Sequence, residues 1–146
     1  MANEKVQNYQ NHARTFPPFH FFVLPVLLAN VIYRLVQLKD GVNFGSILAA
    51  LVALALLFLA FCARIFANTV QDRVIRLEMQ IRLARLLPAD LRPRIEEFTV
   101  PQLIGLRFAG DEELPTLARQ VLEEKLIDRK VIKQRVKNWR PDYLRC

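Results

Sequence analysis

The chain has 146 residues, 53% of them hydrophobic, and a formal net charge of +7. The charge is unevenly placed: residues 19–67 carry only Arg34, Lys39, Asp40 and Arg64, whereas residues 68–146 carry 16 Lys or Arg and 12 acidic side chains. A tail so mixed in sign excludes a nucleic-acid arm of one charge, and Cys62 and Cys146 alone exclude a disulfide framework or a cysteine metal cage.

Residues 1–15 are polar, with Asn3, Asn8, Gln10 and Asn11, and are expected to be poorly ordered. Phe16-Pro17-Pro18-Phe19 opens the first long apolar run, about 19–38. Proline is tolerated there because its missing N–H would have no partner in a helix's first turn. Phenylalanines at 16, 19, 21 and 22 fit a membrane-interface belt, and Pro25 is expected to kink the helix. The run exceeds the apolar core of a signal peptide, no small-x-small cleavage pattern follows, and a second apolar run comes at once, so an uncleaved anchor is expected.

The second run covers about 45–67, only Lys39 to Phe44 lying between the two. Each is about 20 residues, the length that crosses a hydrocarbon core of roughly 30 Å as a helix. The short link makes them an antiparallel hairpin spanning residues 16–67. Lys5 and Arg14 precede the hairpin and Arg64, Arg73, Arg76 and Arg82 follow it, while Lys39 in the loop is offset by Asp40. That bias places both termini in the cytoplasm, with a small outer loop. Arg34, one turn before the loop, reads as a snorkelling side chain.

The helical pattern continues past Arg64 to Leu87, where Pro88 ends it, so residues 68–87 form a stalk on the second span. A helix from Gly45 to Leu87 would be about 65 Å long. Asp72 with Arg76 and Glu78 with Arg82 have the spacing of helical ion pairs. A seam of Ala60, Ala63, Ala67, Val70, Val74, Leu77 and Ile81 recurs every three and four residues, extended at its ends by Leu56 and Ala84. Its alanines permit close helix approach in lipid, and its larger members gain from leaving water. The seam either packs on the chain's own first span and returning tail or joins copies of the chain. A second line, Ile75, Met79, Leu83 and Leu86, widens the face beyond a two-stranded seam.

The tail, residues 88–146, reads as short helices. Thr99 and Gln102 match a capping box, opening a helix to about Phe108 that Gly110 can end. Asp111-Glu112-Glu113 suits the start of another, running to Leu126. Asp128 caps a last helix through Trp139, or the two are continuous. No strand is expected, because the apolar residues recur at helical spacing. The basic stretch with Arg129, Lys130, Lys133, Lys137 and Trp139 either lies on an anionic leaflet as a surface helix or packs on the tail with its lysines solvated.

Chemistry is sparse. His20, among phenylalanines at the edge of the first span, is the one candidate haem or chlorophyll ligand, with an interfacial hydrogen bond as its simpler role. The adjacent acids Glu96-Glu97, Glu112-Glu113 and Glu123-Glu124 point about 100° apart on a helix and do not converge on a substrate. The four glycines are scattered, so there is no phosphate loop, and no nucleophile has a recognisable His and acid arrangement. An enzyme, a resident metal or a cofactor is therefore not expected.

Several segments together resemble an uncharacterised bacterial family of small two-span proteins. They are Gln7-Asn8-Tyr9-Gln10-Asn11-His12, the Phe-rich opening of the first span, Gln71-Asp72-Arg73-Val74-Ile75-Arg76-Leu77-Glu78, and Arg82-Leu83-Ala84-Arg85-Leu86-Leu87-Pro88. Also matching are residues 102–109, Asp111-Glu112-Glu113-Leu114-Pro115 and Asn138-Trp139-Arg140. The resemblance implies the two-span topology and brings no activity and no site residues. The expectation is an all-α membrane protein, hairpin then stalk then helical tail. It is expected to act as a structural or accessory protein whose partners are the bilayer and other membrane proteins or its own copies. A haem- or pigment-associated subunit of an energy-transducing complex is the alternative, and nucleic acid is not an expected partner.

Overall fold

The computed structural model describes residues 7–11 and 15–142. Lys5, His12, Arg14 and Cys146, which entered the arguments above, lie outside the described residues. The described chain is helical, and no strand occurs among these residues beyond one isolated antiparallel bridge, Ala109 with Trp139. It divides into two compact units. One holds residues 15–69; the other holds residues 70–142 with the N-terminal stretch Gln7–Asn11.

The first unit contains α1 (Pro18–Gln37) and most of α2 (Phe44–Leu86), the two helices long and apolar enough to cross a membrane. Each lies within a residue of the limits expected from the sequence. The first turns of α1, Pro18–Val23, are π-helical, and α-helical bonding starts at Leu24 with Pro25 in its opening turn. Pro25 has no N–H to offer and its ring crowds the carbonyl four residues back. A widened turn upstream absorbs both defects. The loop is closed by a reciprocal cap: Asn43 Oδ1 accepts from the Ser46 N–H at 2.9 Å, and Ser46 Oγ accepts from the Asn43 N–H at 3.0 Å. This satisfies free donors at the start of α2. Arg34 donates to Gln37 Oε1 at 3.0 Å, and Gln37 donates to the Tyr33 hydroxyl at 2.8 Å, so the charge is solvated by side chains at the helix end. Only Val31, Ala50 and Ala53 are buried in this unit, whereas Phe21, Phe58 and Phe66 are two-thirds or more exposed.

The second unit is built on the last turns of α2. Ile75, Met79, Leu83 and Leu87 form its buried line. After Pro88 the chain returns through a 3-10 turn (Arg92–Glu97) to α3 (Val100–Leu106), α4 (Leu114–Glu123) and α5 (Arg129–Arg135). Arg92 Nε donates to the Leu87 carbonyl at 2.9 Å, closing the C-terminal end of α2. Residues Gln102 to Ala109 are all buried, which makes α3 the centre of the unit. It can sit there because Gly105 lets α5 cross closely: a Cβ at Gly105 would lie 2.8 Å from Ile132 Cγ2.

The expected capping box is present, the Thr99 side chain facing the Gln102 backbone N–H and the Gln102 side chain reaching back to the Thr99 backbone. Gln102 Oε1 accepts from the Thr99 N–H at 2.8 Å and from the Thr99 hydroxyl at 3.0 Å, while Gln102 Nε2 donates to the Leu126 carbonyl at 2.8 Å. The buried amide thus ties the start of α3 to the loop before α5, leaving no unpaired end.

Three expectations are corrected. The last helix stops at Arg135, because Val136 is extended and the N–H groups of Lys137 and Asn138 donate to Glu113 Oε2 at 3.2 and 3.0 Å. Those tertiary bonds replace the helical ones. Helix α4 ends at Glu123 rather than Leu126, with Lys125 in the left-handed region (φ 51°) and the Leu126 N–H returning to the Val121 carbonyl. The N-terminal polar stretch is tied down over residues 7–11. Gln7 exchanges two hydrogen bonds with the backbone of Asp142, at 2.7 and 3.3 Å, and Gln134 Nε2 donates to the Tyr9 hydroxyl at 3.1 Å.

Candidate functional site

The chemistry of the second unit gathers around Arg82. Its guanidinium donates to Asp111 Oδ1 through Nε (2.8 Å) and Nη2 (2.5 Å), to the Arg107 carbonyl at 3.1 Å and to the Ala109 carbonyl at 2.5 Å. Five planar donors suit this role, since one fork binds a carboxylate and two carbonyls together. The sequence pairing of Arg82 with Glu78 is therefore superseded: the side chain is committed to the loop between α3 and α4. Asp111 also accepts from Arg140 Nη1 at 3.1 Å. Hydrogen bonds from Arg82, then the positive charges of Arg82 and Arg140, hold the Asp111 carboxyl below its ordinary pKa against partial desolvation.

Arg107 is almost fully buried and lies 3.4 Å from Asp142. Its guanidinium also lies 4.5 Å from the Phe108 ring centroid, and Lys133 Nζ lies 5.0 Å from the same centroid. Trp139 stacks on Phe108, with centroids 4.6 Å apart. Phe108 is thus the aromatic centre of a charged, buried cluster. Arg107, Asp111, Asp142 and the exposed side of α2 border a groove of about 880 Å³, lined by Val74, Ile75 and Ile81 on its apolar side and by Arg82, Arg85, Arg107 and Arg140 on its polar side. The carboxylates of Asp111 and Asp142 are paired with arginines, so the arrangement holds the unit together by charge-assisted bonds.

The sequence-derived residues fall in different places. Of the seam, Ala60 is half-buried and Ala63 and Ala67 are exposed. Val70, Val74, Leu77 and Ile81 are 60%, 47%, 61% and 56% exposed. The returning tail packs on the opposite line instead, because Leu87 and Leu91 carry the Ile75 line through the Pro88 turn and the chain folds back on that side. The basic residues proposed as one surface helix do not form a single exposed helical face. Arg129 and Lys130 are exposed on α5, Lys133 is buried beside Phe108, and Lys137 and Trp139 lie beyond the helix end.

His20 Nδ1–H donates to the Phe16 carbonyl at 2.9 Å, and its ring meets Phe19 edge-on. Among the described residues no three His, Cys, Asp or Glu side chains are grouped to hold a metal ion. Sequence reading missed Arg82, Arg107 and Phe108 as the hub. The only signal was an arginine–aromatic pair in an otherwise apolar stretch.

A family model matches residues 1–146 in full, and the chain belongs to that family, described as Family of unknown function (DUF6526). No curated protein and no solved structure matches the chain.

Proposed function

We propose that this is a non-catalytic inner-membrane protein. In this reading α1 and α2 cross the bilayer as a hairpin, and residues 70–142 form a cytoplasmic helical module for association with membrane proteins or with further copies of the chain. The observation that carries the reading is the ridge Val70, Val74, Leu77 and Ile81. Four large apolar side chains within twelve residues stay about half or more exposed, although the same helix buries its opposite side completely. Soluble surfaces seldom carry such a continuous apolar line without a partner.

The bilayer assignment is supported by the exposed phenylalanines and leucines of α1 and α2, which water solvates poorly and lipid solvates well. Parity supports it too. Gln7 is bonded to Asp142 within one unit while both apolar helices lie between them in the chain, so the number of crossings must be even. Alkaline carbonate extraction and a reporter fused after Cys146 test the placement. Release into the soluble fraction, or a reporter outside the cytoplasm, refutes it. Blue-native electrophoresis tests the association, and a detergent-stable monomer that retains no partner refutes that.

A second reading, a haem- or pigment-associated subunit, is favoured by one observation. Donation from His20 Nδ1 to a carbonyl leaves Nε2 as the basic nitrogen, the arrangement common in ligating histidines. An absorption spectrum of the purified protein without a visible band excludes it.

A further inference from the structure

The ridge has a heptad register, and that register identifies its occupant. Ala67, Val74 and Ile81 fall at one core position and Val70, Leu77 and Ala84 at the other. β-Branched residues at the first with leucine at the second favour two parallel strands. The second apolar line, which from sequence alone broadens the face, is absorbed by the chain's own core: Ile75, Met79 and Leu83 are buried. What remains free is one narrow stripe, the width of a two-stranded contact.

The flanks agree. In the same register Arg73 precedes the Leu77 layer at the flanking position that reaches forward in a parallel pair, and Glu78, five residues on, occupies the position it would meet. Both are exposed, and among the described residues neither is within ion-pair distance of another charge. In an in-register parallel pair, Arg73 of each copy faces Glu78 of the other.

We propose that Val70, Val74, Leu77 and Ile81 join two copies of this chain as a parallel, in-register seam, with Arg73 and Glu78 forming reciprocal ion pairs across it. The proposal rests on the association reading above and specifies its partner. Membrane anchoring strengthens so short a seam, because two tethered helices meet at high effective concentration in a shared orientation.

The test uses the full-length protein in native membranes, with Cys62 and Cys146 replaced by Ser and single cysteines introduced one at a time. Under mild oxidation, Leu77→Cys and Val74→Cys form a species of twice the 17.0 kDa chain mass, several-fold more than the exposed control Arg76→Cys. Equal yields at the three positions overturn the proposal. Arg73→Glu lowers the Leu77→Cys yield several-fold, and adding Glu78→Arg restores it; failure of the double variant to restore overturns the parallel register. A high-mass species on native gels without seam crosslinking overturns self-pairing through the ridge while association stands. A monomer on native gels ends both.

Discussion

Gly105 and Arg82 set the closeness of the packing. With a methyl group at residue 105 meeting Ile132 at 2.8 Å, α5 must shift, and Gly105→Ala is expected to cost about 1–3 kcal/mol, read as a lower melting temperature in detergent. Arg82→Met removes the Arg82 donors from two carbonyls and leaves Asp111 with Arg140 alone, and should cost about 2–4 kcal/mol.

Asp111 gives this scale a pH signature. Its folded pKa is depressed, so its contribution is complete above the unfolded value near 3.9 and is lost as pH falls through the folded value. The stability gap between wild type and Asp111→Asn is therefore full at neutral pH and closes below about pH 4. A gap independent of pH contradicts the ion-pair assignment. Glu124 beside Arg135 and Asp90 beside Arg119 act in the same direction from exposed positions.

Among the elements, those made by local pattern were legible from sequence. Helices α1 and α2 follow from unbroken apolar runs and from prolines at their edges, and Asp128 caps α5 as expected, its Oδ1 accepting from the Lys130 N–H at 2.7 Å. What failed was any limit set by a distant partner. The last helix stops at Arg135 because Glu113, 24 residues away in sequence, takes the Lys137 N–H. No periodicity encodes that bond. The stalk offered two apolar lines, and their periodicity could not say which the tail would cover; the Pro88 turn decided it. The hub at Arg82 was hidden for the same reason, since Glu78 is its neighbour in sequence and Asp111 its neighbour in space. Lys125 yields a prediction at this scale. It holds a left-handed conformation that favours glycine, so Lys125→Gly should stabilise the unit by about 0.5–1 kcal/mol in thermal unfolding.

At the scale of the whole chain, the attachment of Gln7–Asn11 to residues 134 and 142 brings distant parts of the sequence together within the second unit. Gln7→Ala removes both bonds to Asp142. Limited proteolysis should then cut the N-terminal stretch several-fold faster, with carbonate extraction unchanged, because the apolar helices are untouched.

That attachment also dictates an order of events on the ribosome. Residues 7–11 leave the exit tunnel well before their docking site at residues 134–142 exists, and both apolar helices are made in between. The early stretch must therefore wait until translation has passed Asp142 before it can be seated. A nascent chain arrested upstream of Gln134 would display that stretch unprotected, however completely its two apolar helices had formed.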